Sequence, residues 1–396
     1  MSAVGLLEKL LDGAEVAWVP LEELANIKNG RDWKHLNEGN IPVYGSGGIM
    51  GYVDECSYDK PTVLIPRKGS ITNIFYVETP LWNVDTIYYT EIDEAQIVPK
   101  FLYYFFCTLD MMSMDTGSGR PSLTQSILNR IDIPIPCPDD PEKSLAIQGE
   151  IVRILDSFTE LTAELTAELT ARKKQYNHYR DQLLTFDEDE VEWKTLGDVS
   201  LKSYSGATPR AGSPKFYEGG TIPWLRTQEV VFSDIHDTEV KITQAALDKT
   251  AAKWVPANCV IVAISGATAG RSGINKIPLT TNQHCCCLEI DPAQANYRYV
   301  FHWVSRNYEN LKEMGQGARG DLNSGLIKGF KIPIPHSDDT EKSLEEQARI
   351  VEILDKFDTL TTSITEGLPR EIELREKQYA YYRDLLLSFP KPSVEA

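Results

Sequence analysis

Residues 131–158 read IDIPIPCPDDPEKSLAIQGEIVRILDSF, and residues 330–357 read FKIPIPHSDDTEKSLEEQARIVEILDKF. The two stretches share IPIP, EKSL, a glutamine and the pattern IV-ILD-F at a constant offset of 199 residues, a density of matches that chance does not produce. Further along, RKKQYNHYRDQLLTF (172–186) matches REKQYAYYRDLLLSF (375–389) at an offset of 203. The chain therefore contains two copies of one structural unit.

Weaker similarity continues upstream of these blocks. VLIPRKGS (63–70) aligns with VIVAISGA (260–267), and GSGRPSLTQSIL (117–128) aligns with QGARGDLNSGLI (316–327). The middles of the two copies otherwise diverge. Each copy thus consists of a divergent segment followed by a shorter and more similar one.

The first residues of the chain belong to the same pattern. LLDGAEVAWVPLEEL (10–24) resembles LLTFDEDEVEWKTLGDV (183–199), which follows the similar segment of the first copy. The start of the chain therefore corresponds to the end of a unit that would precede copy one. We expect a repeat that is circularly permuted about the chain ends.

The divergent segments combine short β-rich runs with helical ones. PTVLIP, CVIVAIS and HCCCLEI are apolar runs of strand length between Gly and Pro turns, and helices are expected over 100–109 and 296–314. Cys285, Cys286 and Cys287 are adjacent within one such run. Adjacent strand residues point to opposite faces, so these thiols cannot converge on one metal ion. We predict reduced structural cysteines and no metal site.

The similar segments are predicted to be long helices, because their apolar residues recur at intervals of three, four or seven. An unbroken helix from Ile151 to Phe186 would be about 54 Å long, whereas Gly367 and Pro369 should kink or break the second helix. Helices of this length with one apolar seam usually pair. We assign the seam, as a spacer, to Leu161, Leu165, Leu169, Leu360, Ile364 and Leu368.

These patterns predict an α+β fold in which two pseudo-symmetric globular α/β domains are separated by two long antiparallel coiled-coil helices. A length of 396 residues suits two domains better than one. The expected boundaries are an N-terminal domain over 1–145, a central helix over 146–186, a C-terminal domain over 187–344, a second helix over 345–389 and a flexible tail over 390–396.

Composition limits the possible functions. Hydrophobic residues make up 42% and charged residues 25% of the chain, which is typical of a folded globular protein. No apolar run reaches the roughly 18 to 20 residues needed to span a bilayer, and the start lacks a secretory signal, so we expect a cytoplasmic protein. The net charge of −18 counts against an isolated DNA-binding protein, unless the acids are confined to segments such as DEDEVE (187–192) or a partner contacts the phosphates.

Several enzyme signatures are tested and set aside. GATAGRS (266–272) has three residues rather than four between its glycines and arginine in place of the phosphate-loop lysine. GSGGIMG (45–51) fits a tight turn, and the acids of PDDPEK (138–143) fit a helix N-cap formed by Asp139 or Asp140. The six histidines show no metal-binding spacing, and no motif of an N6-adenine methyltransferase is present. We predict no catalytic residues.

The duplicated IPIP to ILD blocks and the KQYxxYRDxLLxF blocks resemble the two conserved regions of specificity subunits of Type I restriction-modification systems. The resemblance extends over the whole chain. In addition, LTAELTAELTAR (161–172) resembles the tetrapeptide repeat in the central conserved region of one branch of that family, and the opening LLEKLLDGAEVAWVPL resembles the N-terminus of that branch.

The resemblance implies a non-catalytic subunit for phage defence in a bacterium or archaeon. The divergent segments would be target-recognition domains, each reading one half of a bipartite, asymmetric site in double-stranded DNA. The helices would dock two copies of a modification subunit, an N6-adenine methyltransferase, and through them restriction and translocase subunits. The resemblance implies no cofactor in this subunit; the partners would use S-adenosylmethionine, ATP and Mg.

Candidate DNA contacts come from loops of the divergent segments. Arginine pairs bidentately with guanine and Asn or Gln with adenine, while backbone amides of Gly-rich loops can meet phosphate. An arginine in such a loop is more often a solvated or capping side chain, so each candidate needs its own test. The candidates are Arg67, Lys68, Ser70, Asn73 and Arg120 in the first copy and Arg226, Gln228, Arg271, Gln283 and Arg319 in the second.

Two alternatives remain open. The chain could be a two-headed coiled-coil adaptor that binds other proteins, although a symmetric adaptor gains nothing from two different heads. It could also be the specificity module of a methyltransferase-only defence system. The sequence does not separate the latter from a full restriction complex.

Overall fold

The computed structural model describes residues 4–116, 119–315, 321–363 and 366–391. The chain divides into two compact units. Unit 1 comprises Met1–Leu165 together with Ile372–Ala396, and unit 2 comprises Thr166–Glu371. Of the predicted site residues, Arg319 and Ile364 lie outside the described residues.

Unit 1 contains three small sheets. In chain order its strands are β1 (Val16–Pro20), β2 (Ala25–Asn29), β3 (Glu38–Gly45), β4 (Gly48–Val53), β5 (Thr62–Pro66), β6 (Phe75–Val77), β7 (Trp82–Asn83), β8 (Ile87–Ile92) and β9 (Asp132–Pro136). The strand orders are β1-β9, β2-β8-β5-β6 and β4-β3-β7. β5 is buried along its whole length, as the uninterrupted apolar run PTVLIP predicts.

Unit 2 repeats this plan with additions. Its strands are β10 (Val191–Thr195), β11 (Ser200–Tyr204), β12 (Ile222–Leu225), β13 (Asp234–Ile235), β14 (Lys241–Ile242), β15 (Val260–Ala263), β16 (Ser272–Asn275), β17 (Thr280–Thr281), β18 (Cys285–Ile290) and β19 (Lys331–Pro335). The strand orders are β10-β19, β11-β18-β15-β16-β13 and β14-β12-β17.

The IPIP strand has the same partner and register in both units. In unit 1, β9 pairs antiparallel with β1, and Trp18 stands opposite Pro134. In unit 2, β19 pairs antiparallel with β10, and Trp193 stands opposite Pro333. The residues that begin the chain thus occupy the place that residues after the central helix occupy in unit 2. The internal duplication with permuted ends and the α+β class are confirmed.

The helices follow the predicted order. In the described residues they are α1 (Val4–Leu11), α2 (Leu21–Leu24), α3 (Pro99–Phe106), α4 (Gln125–Leu128), α5 (Pro141–Leu183), α6 (Pro214–Tyr217), α7 (Gln244–Lys249), α8 (Tyr297–Arg306), α9 (Tyr308–Glu313), α10 (Ser324–Gly329), α11 (Thr340–Thr362) and α12 (Leu368–Leu386). The helix expected over 296–314 is therefore two helices, because it is interrupted at Asn307, whose φ/ψ angles of −93° and 22° are not helical. No helix of the described ranges is long and apolar enough to cross a membrane.

The long helices pack through aromatic side chains within each unit. In unit 1, the ring of Phe158 on α5 stacks on Tyr382 of α12 with centroids 5.2 Å apart. In unit 2, Tyr179 of α5 stacks on Phe357 of α11 at 5.5 Å. Five of the residues predicted to form the spacer seam are half-buried, whereas most residues between the first three are exposed: Leu161, Leu165, Leu169, Leu360 and Leu368.

The break predicted in the second helix is present. α11 ends at Thr362 and α12 begins at Leu368, and Gly367 between them has a φ of +84°. A Cβ atom at this position would also lie 2.4 Å from the carbonyl oxygen of Thr359. Glycine is therefore required here by both conformation and space.

Aspartates cap both conserved helices at their N-termini. The Lys143 amide donates to Asp140 Oδ1 at 3.1 Å before α5, and the Lys342 amide donates to Asp339 Oδ1 at 3.1 Å before α11. The N-cap interpretation of the duplicated DDxEK motif is confirmed, since each carboxylate satisfies an otherwise unpaired amide of the first turn.

The three adjacent cysteines face opposite sides of β18. Cys286 belongs to the core that contains helix α8, and Cys285 and Cys287 belong to the core on the other face of the sheet. All three are fully buried, and burial raises the pKa of Cys285 to about 12. The cysteines of the described residues are free thiols, as predicted, and the three on β18 lie in the protein core.

Candidate nucleic-acid interface

Four loops of unit 1 meet at one end of the sheet that contains β5. The Arg67 amide donates to the carbonyl of Thr86 at 2.8 Å, and the Gly69 amide donates to Pro121 at 2.9 Å. Asn73 Nδ2 donates to the carbonyl of Ser46 in the β3–β4 turn at 3.1 Å. The structure therefore brings the loop 67–73 together with the segment that carries Arg120, as loop cluster 1.

The predicted contacts of loop cluster 1 are presented in different ways. Arg67, Lys68, Ser70 and Arg120 are exposed, and Gly69 has a φ of +92° that only glycine adopts readily. Lys68 Nζ lies 2.7 Å from Asp85, an exposed ion pair of the kind that contributes little stability. The amide of Asn73 is engaged with the neighbouring turn, so this side chain holds loops together.

Unit 2 repeats the arrangement as loop cluster 2. The Ile264 amide donates to His284 at 2.9 Å and the Leu322 amide donates to Ile264 at 2.8 Å. These bonds match those from Arg67 to Thr86 and from Leu123 to Arg67 in unit 1. Loop cluster 2 comprises the loop 264–271, residues 282–284, the segment after β12 and residues 321–322, which are joined by these bonds and by that of Asn282 to Leu225.

The predicted contacts of unit 2 are more engaged than those of unit 1. The guanidinium of Arg226 is paired with Glu229, at 3.3 Å, and with Glu239. Gln283 is exposed and accepts a hydrogen bond from Thr208 Oγ1 at 2.5 Å. Gln228 is exposed, and Arg271 is half-buried in a loop that its own backbone closes, since its carbonyl accepts the Ala263 amide.

A second duplication, missed by the sequence comparison, lies within the divergent segments. β3 contains IPVYG and β12 contains IPWL, and each pairs parallel with a short strand, β7 or β17. A glycine stands two positions before each Ile-Pro pair, Gly39 and Gly220, and a Cβ atom at either would lie less than 3 Å from a backbone carbonyl. The pattern GxIP, which occurs at 39–42 and at 220–223, is the sequence signal that marks this duplication. The parallel pairing of β7 with β3 and of β17 with β12 then aligns LWNVDT (81–86) with LTTNQH (279–284) and adds Thr86 and His284 to the candidates.

The two clusters differ most in the connection after this duplicated strand. In unit 1, β3 and β4 form a tight hairpin in which Gly45 pairs with Gly48. In unit 2, residues 226–240 run between β12 and β14, and the Arg226 ion pairs hold this longer loop. The same frame thus carries two different surfaces.

The duplicated glutamine and aspartate of the conserved helices hold the α/β part of each unit. Gln148 of α5 is buried; its Oε1 accepts the Val98 amide before α3 at 2.8 Å, and its Nε2 donates to Gln96 at 3.2 Å. In unit 2, Gln347 Oε1 accepts the Asn296 amide before α8 at 2.8 Å. These contacts explain why the glutamine recurs in both copies.

The aspartate of ILD makes the second contact. Asp156 accepts hydrogen bonds from Lys100 Nζ at 2.9 Å and from the Tyr104 hydroxyl at 2.5 Å, both on α3. Asp355 forms an ion pair with the guanidinium of Arg298 and accepts a hydrogen bond from His302 Nε2 at 2.7 Å, and both partners are on α8. Burial alone would raise the pKa of Asp355, but the hydrogen bond from His302 and the positive charge of Arg298 outweigh burial and hold this pKa below its usual value.

In the described ranges no group of three His, Cys, Asp or Glu side chains is placed to hold a metal ion. The loop clusters instead offer exposed cations, amides and backbone groups. Such groups bind phosphates and base edges.

Comparison with known proteins assigns the repeat. Residues 14–172 and 188–374 match the family described as Type I restriction modification DNA specificity domain. The chain is 41% identical to the specificity subunit of the Escherichia coli Type I restriction enzyme EcoR124I/EcoR124II, over 99% of each chain. It is 33% identical to a putative Type I specificity subunit of Haemophilus influenzae, over 97% of this chain and 98% of that one.

The fold is similar to solved structures as well. The crystal structure of an S subunit of a Type I restriction-modification system from M. genitalium superposes with a TM-score of 0.63 at 16% identity, covering 96% of this chain and 98% of that one. A chain from a structure of Type I complex assembly and conformational transition gives a TM-score of 0.60 at 13% identity, over 94% and 97%. At these identities the likeness concerns the fold.

Proposed function

The chain belongs to the family of Type I restriction-modification DNA specificity proteins, and on that basis we propose that it reads a bipartite, asymmetric site in double-stranded DNA, one half-site for each unit. It is a DNA-specificity subunit and not a catalytic one. The observation that carries the two-half-site proposal is the pair of loop clusters, which share one hydrogen-bonded frame and differ in their exposed surfaces. Equal frames with unequal loops suit two different base sequences.

We propose that the side chains of the loop clusters divide into two groups. Arg67, Ser70 and Arg120 in unit 1 and Gln228 in unit 2 are exposed and free to approach DNA. Lys68 and Gln283 are exposed as well and would reach DNA by exchanging their contacts with Asp85 and Thr208. Asn73 and Arg226 act by holding loops in place, because their polar groups are engaged inside the protein. Arg271 belongs to the loop that matches 67–73, and Arg319 remains a candidate outside the described residues.

We propose that the long helices serve two further purposes. They dock two copies of an N6-adenine methyltransferase, which would use S-adenosylmethionine, and through them restriction and translocase subunits that use ATP and Mg. The helices also set the gap between half-sites, and the repeat LTAELTAEL (161–169) supports membership of the branch whose central region carries a tetrapeptide repeat. The half-buried Leu161, Leu165 and Leu169 support the spacer role, since they form one apolar seam.

Methylome sequencing tests the proposal directly. Cells that express this chain together with the methyltransferase encoded beside it are compared with cells that express the methyltransferase alone. We expect a new split motif with N6-methyladenine in both halves. No new motif, although the two proteins co-purify, would refute sequence-specific targeting and favour the adaptor function. Plasmid restriction in the same cells separates a full restriction complex from a methyltransferase-only system.

Single substitutions at the two ends of β5 test the interface. Arg67→Ala removes a cation at the end that carries loop cluster 1, and Lys60→Ala removes an exposed cation at the opposite end. If Arg67 reads a base, its replacement should cost about 1 to 3 kcal/mol of binding free energy and relax the specificity at one position of one half-site. If Arg67 contacts a phosphate, its replacement should weaken binding to all DNA sequences alike. Lys60→Ala should leave the motif and the affinity unchanged. Equal behaviour of the two variants would remove Arg67 from the interface.

A further inference from the structure

The β3–β4 hairpin of unit 1 exposes three large hydrophobic side chains within four positions. Ile49, Met50 and Tyr52 are 51%, 57% and 52% exposed. Exposed apolar groups of this size are costly when they are clustered, and such clusters mark surfaces that contact another molecule. The sequence GSGGIMG (45–51) predicts only a tight turn at this place, and none of the three residues is among the candidate DNA contacts of loop cluster 1.

A β-bulge produces the cluster. Tyr44 pairs with Ile49 and Val43 pairs with Gly51, which leaves Met50 as an extra residue between them. In a regular strand adjacent side chains point to opposite faces, and a bulge changes this alternation. Both Ile49 and Met50 are consequently exposed.

The hairpin packs on Trp33 and is connected to loop cluster 1 by hydrogen bonds. A Cβ atom on Gly51 would lie 3.0 Å from the ring of Trp33, so the indole packs directly on the strand backbone. At the tip, the carbonyl of Ser46 accepts the Asn73 amide group at 3.1 Å, and the Ser46 amide donates to Thr86 Oγ1 at 3.3 Å. The apolar cluster and the loop that carries Arg67 therefore form one connected surface.

We infer that this hairpin enters the major groove of the half-site read by unit 1, where Ile49 and Met50 contact the 5-methyl groups of thymines. The inference rests on the proposed function. A two-stranded ribbon fits the major groove, and thymine is the base that presents an apolar group there. Continuity with loop cluster 1 selects DNA as the occupant, because Arg67 and Lys68 would meet the backbone or base edges beside the same groove. In unit 2 the corresponding strands β12 and β14 also pair antiparallel, but residues 226–240 join them in place of the tight turn, so we assign the thymine-methyl contact to unit 1 alone.

The test removes the 5-methyl group of each thymine from the DNA and, separately, the apolar side chains of Ile49 and Met50 from the protein. The complex of the full chain with its methyltransferase is titrated with duplexes that carry the split site, in which each thymine in turn is replaced by deoxyuridine. For the unaltered complex we expect about three- to fivefold weaker binding at one or two positions of a single half-site, as burial of one methyl group predicts. Ile49→Ser and Met50→Ser should weaken binding to the thymine duplex by a similar factor and abolish the effect of deoxyuridine at those positions. Leu201→Ser, at a 61% exposed leucine of β11 in unit 2, is the matched control and should keep the full effect.

Each outcome decides the inference. The inference is overturned if the Ile49→Ser and Met50→Ser variants are as sensitive to deoxyuridine as the unaltered complex. It is also overturned if these variants bind specific and random DNA equally more weakly while they keep that sensitivity. Loss of the methyltransferase from the Ile49→Ser or Met50→Ser complex would identify the hairpin as a protein-docking surface and also overturn it. If the unaltered complex does not prefer the split site over random DNA, the proposed function fails, and this result is distinct from all the others.

Discussion

Replacing Gln148 by methionine removes the hydrogen bonds between α5 and the segment before α3 while it preserves side-chain length. Two partly buried backbone groups then lose their partners, the Val98 amide, 2.8 Å from Oε1, and the Gln96 carbonyl, 3.2 Å from Nε2. Because both groups are only partly buried, each one left unsatisfied should cost about 1–2 kcal/mol, and we expect unit 1 to lose roughly 2–4 kcal/mol. For a unit of this size that corresponds to a fall in unfolding temperature of about 5–15 °C.

The same substitution in unit 2 is the matched comparison. Gln347→Met leaves one backbone group unpaired, the Asn296 amide, because the other bond of Gln347 goes to the hydroxyl of Ser343, which can rotate. The loss should therefore be smaller, about 1–3 kcal/mol. Gln148→Glu separates hydrogen bonding from packing. Burial raises the pKa of a carboxylic acid, so this variant should be most stable at low pH and lose stability as the pH rises above about 4.3, the pKa in the unfolded chain.

Thermal unfolding combined with amide hydrogen exchange measures both the size and the place of the effect. Exchange should accelerate in peptides that cover residues 96–101 in Gln148→Met and residues 294–299 in Gln347→Met. The reasoning is refuted if Gln148→Met unfolds within about 1 °C of the unaltered protein, or if exchange accelerates equally throughout both units. A Gln148→Glu variant with a stability independent of pH would contradict the burial argument.

Three further outcomes follow from other features. Deleting Thr166–Leu169 shortens the helix by about 6 Å and removes about 400° of rotation, a net turn of roughly 40° that is close to the twist per base pair of DNA. Methylome sequencing should therefore show a gap between half-sites that is shorter by one base pair, or two, with unchanged half-site sequences. Cys137 and His336 follow the two IPIP strands with φ of 46° and 49°; glycine at either position should raise stability by about 0.5–1 kcal/mol in urea unfolding, whereas alanine should not. The pKa of Asp355 is lowered in the folded protein, so this carboxylate stabilises unit 2 at pH values above about 3.8, the pKa of the unfolded group. The stabilisation is lost as the pH falls through the pKa of the folded state. Asp355→Asn should therefore cost about 1–3 kcal/mol of unfolding free energy at pH 7 and make stability less dependent on pH in the acid range.

Local patterns predicted the helical parts of the molecule well. The apolar periodicity located α5, the aspartate before each conserved helix predicted its cap, and Gly367 marked the break between α11 and α12. These features depend on residues within a few turns of one another, so one sequence contains the whole signal. The burial of the three cysteines on alternate faces followed from strand geometry in the same way.

The loop clusters were predictable only in part, because they are assembled by contacts between distant residues. Arg67 and Arg120 were named separately, and their neighbourhood arises from the bond of Gly69 to Pro121. The pairing of Arg226 with Glu239 depends on a loop whose path the sequence does not reveal. The hidden duplication of β3 and β12 escaped because the two following connections differ in length and obscure the alignment.

Unit 1 is formed by segments that precede and follow unit 2 in the chain, which fixes the order in which the two units are completed on the ribosome. The indole of Trp18 donates to the carbonyl of Pro390 at 3.0 Å, and Phe101 packs edge-on against Phe389. Unit 2 is one continuous stretch, so its last residue is synthesised before the segment that closes unit 1. At about 5–20 residues per second, the core of unit 1 waits roughly 10–40 s for its final helix. A premature stop before Leu386 releases a chain with one finished unit and one open core, which makes such truncations substrates for chaperones and proteases before they ever meet DNA.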